Sequence, residues 1–173
     1  MSYEAKIVPI ERYGLINIRA DFSAQRVIGE SLGHELPVTA HTAVHTENFS
    51  VLCFSEDQWW VRCDLEQETD LFNQLYDLNK HNHCAATIIS DHFSGFSLIG
   101  TDARKVLRQG VSIDLDDYAS GQCTRSGFAR CGASIQIVEQ YFHYDLFVES
   151  SYASYVNLWF DAARKGVQNS QSG

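Results

Sequence analysis

Two histidine pairs and one acidic run are the residues whose spacing first suggests chemistry. His41 and His45 would share one face of a helix. Their setting, Val38-Thr-Ala-His-Thr-Ala-Val-His45, alternates like a strand or loop instead. His81-Asn-His83 puts both rings on one face of a strand, an arrangement that can bind zinc. No third ligand is predicted nearby, and the pair follows a helix end, where histidine is favoured for its charge. Both pairs are therefore read as structural. Asp114-Leu-Asp-Asp117 lacks the regular oxygen spacing, over about twelve residues with a central glycine, that a calcium loop needs. It is read as a solvated turn, and no metal ligand is assigned.

Nucleophile and phosphate motifs are missing as well. The chain has no G-x-x-x-x-G-K-[ST], no G-x-G-x-x-G and no G-x-S-x-G. Ser94-Gly-Phe-Ser97 and Ser126-Gly127 read as ordinary strand or turn residues. No catalytic and no cofactor-binding residue is assigned. Trp59-Trp60 carries more information. Neighbours on a strand point to opposite faces, so only one of the two can meet a single helix layer. The other is a candidate subunit-interface anchor, since Trp is enriched at interface hot spots. Alternatively, a second sheet of the same chain covers it.

The elements that must position these residues follow from hydrophobic period. Four segments have helical spacing. The first follows Ser23, read as its N-cap, and stops at Gly33. The second covers Glu66 to Lys80, with Leu71, Phe72, Leu75 and Leu78 on one stripe. The third is capped by Thr101 and ends at Gly110. The fourth starts after Ser150-Ser151, with Tyr152, Tyr155, Val156, Trp159, Phe160 and Ala163 on one apolar face. Strand-like runs are Gly14–Arg19, Ser50–Phe54, Gln58–Cys63, Cys84–Ile89, Gly95–Ile99, Cys123–Phe128, Ala133–Val138 and His143–Val148. Arg130-Cys131-Gly132 reads as a hairpin turn in which the glycine supplies positive φ. Glu139-Gln140-Tyr141-Phe142 is a second turn candidate.

The order predicts an α+β fold of two similar halves, each a mainly antiparallel sheet with helices on one face. The first half is residues 1–91 and the second 92–166, with a frayed tail over 167–173. Together they are read as one compact unit. Length and composition agree: 173 residues, 45% hydrophobic, can bury a core. The net charge of -9 disfavours a nucleic-acid partner. No run is apolar enough to span a membrane, and the first residues lack the order of a secretory signal. Five cysteines without a Cys-x-x-Cys read as reduced, mostly buried thiols in a cytoplasmic protein.

An ordered series of segments in the second half resembles the gamma subunit family of heterotetrameric sarcosine oxidase. It begins at Ile89-Ser-Asp-His92 and runs through Phe96-Ser-Leu-Ile-Gly-Thr-Asp-Ala-Arg-Lys-Val-Leu-Arg-Gln-Gly110. It continues with Ile113-Asp-Leu115, Gly121-Gln-Cys-Thr124 and Tyr144-Asp-Leu-Phe-Val-Glu-Ser-Ser-Tyr-Ala-Ser-Tyr155, leading into Leu158-Trp159. Weaker similarity reaches back to Asp57-Gln-Trp-Trp-Val61. The acidic loop Asp114 to Ser120 departs from the family in lacking its prolines.

The resemblance implies a fold like the folate-binding domain of the glycine-cleavage T-protein. It implies a complex that oxidatively demethylates sarcosine to glycine and passes the one-carbon unit to tetrahydrofolate. FAD, FMN, NAD and the folate site would belong to the alpha and beta subunits, and zinc to the delta subunit. This chain would be a structural gamma subunit without an active site of its own. A sister N-methyl amino acid oxidase or dehydrogenase is a variant of that reading. A different class is a free-standing folate-binding protein of the aminomethyltransferase type. It would need a carboxylate and an arginine at a pterin pocket, and Asp91, Asp102, Arg104 and Arg125 are the obvious suppliers. A ligand-free interaction module of some other complex is the third.

Overall fold

Side chains on a strand alternate between faces, so pairing register alone assigns each residue of a sheet to a side. The computed structural model, which describes residues 4–170, contains ten strands and four α-helices in that span. The strands are β1 (Lys6–Ile10), β2 (Tyr13–Ala20), β3 (Ala43–His45), β4 (Phe49–Ser55), β5 (Gln58–Asp64), β6 (Cys84–Ile88), β7 (Phe93–Ile99), β8 (Gln122–Phe128), β9 (Cys131–Glu139) and β10 (His143–Glu149). The helices are α1 (Phe22–Leu32), α2 (Leu65–Leu78), α3 (Ala103–Arg108) and α4 (Ala153–Ser170). Two five-stranded sheets result, in the orders β3-β4-β5-β2-β6 and β1-β7-β10-β9-β8. The expected α+β architecture of antiparallel sheets with helices is what forms.

In the first unit, Ile16 and Ile18 of β2 lie opposite Val61 and Trp59 of β5. Val51 and Cys53 of β4 extend the same face. This face packs on Ala24, Ile28 and Leu32 of α1 and on Leu75 of α2. The N-cap of α1 is Asp21 rather than Ser23. Its carboxylate accepts from the Ala24 N–H at 3.1 Å, while the Ser23 hydroxyl donates to the same oxygen at 2.6 Å. Gly33 ends α1 as expected, at φ 69°, a conformation that costs glycine little. The second expected helix is met within two residues at either end.

The second unit joins β1 to β7–β10, α3 and α4. Phe96, Leu98, Ile135, Ile137, Tyr144, Leu146 and Val148 pack on Val106 and Leu107 of α3 and on Val156, Phe160 and Ala163 of α4. Several expectations need correction here. Lys6–Ile10 is a strand that was not anticipated, and it pairs with β7, so the opening segment belongs to the later sheet. Pro9 hides it from a periodicity reading, yet an edge strand tolerates proline. β3 is too short to show alternation. The Thr101 hydroxyl donates to the Glu4 carboxylate at 2.6 Å instead of capping α3. The β8–β9 turn is Ala129-Arg130, both at positive φ, with Gly132 inside β9. Two consecutive left-handed residues match the twist of a two-residue hairpin. Tyr152 and Tyr155 are exposed rather than part of the buried face of α4. The helix continues to Ser170, so the tail expected from Val167 is helical that far, and residues 171–173 lie outside the described residues.

All five cysteines are buried free thiols. Cys53 and Cys63 do not approach each other along β4 and β5. Cys53 lies opposite Trp59 and Cys63 opposite Phe49, a separation of about 13 Å along the strands. Among the described residues no helix is long and apolar enough to cross a membrane.

Candidate functional site

The histidine pairs are bound into the backbone. His41 adopts φ 70°, and its N–H donates to the Cys53 carbonyl at 2.8 Å. His45 sits on β3 with Nδ1 at 2.9 Å from the Ser50 hydroxyl. Burial, helped by the charge of Arg62, holds its imidazole below the ordinary range. The His83 carbonyl accepts from the Asp21 N–H at 3.1 Å. Among the described residues, no group of three or more His, Cys, Asp or Glu is placed to hold a metal ion. The acidic run forms a short 3-10 turn, Leu115–Asp117. Asp114 caps it by accepting from the Asp116 N–H at 3.1 Å, and Asp116 pairs with Arg104.

The aromatic pair departs from expectation in one respect. Trp59 is 0% and Trp60 2% exposed, so neither indole faces outward. β5 is the central strand of its sheet, and both its faces are withdrawn from water. Trp59 packs in the helix-covered core and its Nε1–H donates to the Pro37 carbonyl at 2.7 Å. Trp60 shares the other face with Leu15, Leu52 and Phe54, all buried, and meets the Phe54 ring edge-on at 5.1 Å.

One polar cluster was not anticipated. Ser97 on β7 lies opposite Asp145 on β10. The Ser97 hydroxyl donates to Asp145 Oδ1, and His143 Nε2 is 3.1 Å from the same oxygen. The Asp145 side chain is 4% exposed. A nucleophile relay needs the imidazole between hydroxyl and carboxylate, to take the proton. Here the carboxylate stands between them, so His143 does not act as base for Ser97 through this contact. A carboxylate inside the apolar run Tyr144–Val148 was the available sequence signal, because a buried carboxylate needs partners.

The four residues considered for a pterin pocket turn to different neighbours. Asp102 accepts from Lys105 Nζ at 2.6 Å, and this contact chiefly holds its carboxyl below the ordinary range. Arg104 pairs with Asp116 and lies 5.0 Å over the Tyr141 ring. The Asp91 carbonyl accepts from the Ser150 hydroxyl at 2.9 Å, and Arg125 lies on β8. Elsewhere, an open pocket of about 710 Å³ sits at the start of β6, lined by Arg19, Asp21, Asp57, Lys80, His81 and His83 among others; Arg19 is paired there with Asp57 at 2.9 Å. The Ser23 hydroxyl, foremost, keeps the Asp21 carboxyl low.

The comparisons with known proteins give these features a context. The chain is similar in structure to the heterotetrameric sarcosine oxidase from Corynebacterium sp. U-96, solved in complex with pyrrole 2-carboxylate. The TM-score is 0.85 at 14% identity, over 94% of this chain and 84% of that one. It is also similar to the glycine cleavage system aminomethyltransferase T from Bartonella henselae, with TM-score 0.70 at 12% identity, over 91% of this chain and 45% of that one. At these identities the likeness is one of fold. No curated protein matches the sequence. The family model described as sarcosine oxidase, gamma subunit family, matches residues 18–165, a longer stretch than the segments that first carried the resemblance. Matched over most of its length, with its fold found in the heterotetrameric enzyme, the chain belongs to the sarcosine oxidase gamma subunit family.

Proposed function

We propose that this chain is the structural gamma subunit of a heterotetrameric sarcosine oxidase, without an active site of its own. The observation that carries the reading is the family match over residues 18–165, joined to a fold shared with a chain of the heterotetrameric enzyme. In this reading the alpha, beta and delta subunits are its partners. They hold FAD, FMN, NAD, tetrahydrofolate and zinc, oxidise sarcosine to glycine and hand the one-carbon unit to the folate. Such cofactors carry chemistry that side chains supply poorly, so a subunit remote from them has structural work to do. The complex is placed in the cytoplasm. In this reading Trp59 and Trp60, both buried within the chain, serve assembly indirectly, by holding the central strand of their sheet.

Co-expression of the chain with the three other subunits tests this. The four should purify as one complex with sarcosine-dependent hydrogen peroxide production, and omission of this chain should leave the complex unstable or unassembled. Full assembly and activity without it would overturn the proposal.

A further inference from the structure

β1 is the edge of its sheet, and among the described residues it pairs with β7 alone. None of its residues is buried, and Ile7 packs on the core from its margin. Ladder parity shows what binds it. Just beyond the β7–β10 ladder, and in register with Ile99↔His143, the Gly100 N–H donates to the Phe142 carbonyl at 2.9 Å. Hydrogen-bonded positions alternate in an antiparallel pair, so Ser94, Phe96 and Leu98 bond to β10. Gly95, Ser97 and Ile99 turn their N–H and C=O groups the other way, to Ile10, Val8 and Lys6 of β1. Pro9 lies opposite Phe96, a position outside the β1–β7 bonds, so the proline deletes none of them.

The Lys6 end of the strand is fastened by more than the ladder. The Glu4 carboxylate accepts from the Thr101 hydroxyl at 2.6 Å. The Glu4 N–H donates to Asp102 Oδ2 at 3.3 Å, and the Glu4 carbonyl accepts from the Asp102 N–H at 3.4 Å. Lys105 Nζ holds the other oxygen of Asp102 at 2.6 Å. Gly100 passes so close to the Glu4 carbonyl that a Cβ there would overlap it. Glu4 is thus clasped by its backbone and its side chain to the turn between β7 and α3.

We propose that β1 is a strap that opens apart from the rest of its sheet, and that the Glu4 clasp is its latch. An element with few buried apolar contacts opens at a lower free energy than the core it borders. At the Ile10 end only Glu11 and Arg12 separate β1 from β2, so the strand is tethered there and peels from the Lys6 end. The clasp stands at that end, where it must break before the Lys6↔Ile99 pair does. Opening leaves β7, Phe93-Ser-Gly-Phe-Ser-Leu-Ile99, as the sheet edge. β7 has neither charge nor proline, the devices that keep an edge from pairing with other chains, so the closed strap is its cover.

Amide hydrogen exchange of the full chain, resolved residue by residue with NMR and corrected for intrinsic rates, tests the proposal within a single strand. The Gly95, Ser97 and Ile99 amides should exchange roughly a hundredfold faster than those of Ser94, Phe96 and Leu98, and with little response to low denaturant. Lys6, Val8 and Ile10 should exchange at the rate of the faster set. Thr101→Val removes the hydroxyl of the latch and should speed the faster set about tenfold. Thr101→Ser keeps the hydroxyl and should stay near the wild type. If Thr101→Val fails to fold, the wild-type comparison still decides. Equal rates for the two alternating sets of β7, both rising with denaturant as global unfolding does, overturn the strap. Wild-type exchange in Thr101→Val, or Thr101→Ser as fast as Thr101→Val, overturns the latch.

Discussion

Truncating each indole of the Trp59-Trp60 pair separates a core role from a docking role. Trp59→Ala removes a side chain with no exposure from a face that includes Ile18 and Cys53. Losses of this kind cost about 3–5 kcal/mol through transfer and cavity terms together. The Pro37 carbonyl also loses the indole donor that reaches it at 2.7 Å, which adds about 1 kcal/mol. Trp60→Ala removes an indole 2% exposed and should cost a similar ~3–5 kcal/mol. Its edge-on contact with Phe54 contributes roughly 0.5–1.5 kcal/mol more. Against a domain stability of about 5–15 kcal/mol, either change removes a large share. Urea unfolding followed by far-ultraviolet circular dichroism is the assay. With a slope of about 2 kcal/mol/M, each midpoint should fall by roughly 1.5–2.5 M. Trp→Phe at either site keeps most of the apolar volume and should lose less than half as much. A loss below about 1 kcal/mol for either alanine variant would refute the double-sided burial argued here. If Trp60→Ala folded like the wild type but failed to assemble, the second indole would be a docking residue, as strand alternation alone suggests.

Burial, foremost, lifts the Cys63 thiol to about 11 and raises those of Cys53, Cys84 and Cys131. Since the thiolate is the nucleophile, a disulfide reagent at pH 8 should react slowly with the folded chain and with all five thiols in denaturant; a Cys63 as fast folded as unfolded contradicts this. Gly100 has φ 127°, and an added Cβ would lie 1.8 Å from the Glu4 carbonyl oxygen. Gly100→Ala should therefore lose about 2 kcal/mol or more, read as an early melt, and a wild-type melting temperature would refute the clash. The Asp21 carboxyl, held by Ser23 and the Ala24 N–H, titrates below its ordinary 3.8 in the folded chain. Its contribution is present above that value and fades as pH falls through the lower, folded one. Melting curves from pH 5 to 2 should thus converge for wild type and Asp21→Ala, and a constant gap would exclude the linkage.

Local periodicity was enough for the long elements. Apolar spacing located α1 and α2 and eight strands, since burying one face of an element imposes a period that neighbours in sequence reveal. It failed where partners are distant. β1 takes its place by pairing with β7, 85 to 93 residues on, and a segment interrupted by Pro9 carries no local trace of that. The expected cap of α3 was lost for the same reason: Thr101 turned to Glu4, which sequence distance hides. Ordered segments such as Gly100-Thr-Asp-Ala-Arg104 pointed to the family, because a family resemblance resides in order and spacing. Which chemistry-bearing residues meet was a matter for the tertiary structure. Sheet register placed Asp145 opposite Ser97, because pairing across strands, rather than order along the chain, sets which side chains share a face. The burial of both Trp59 and Trp60 was decided by packing on the two faces of their strand, which alternation along the chain does not reveal.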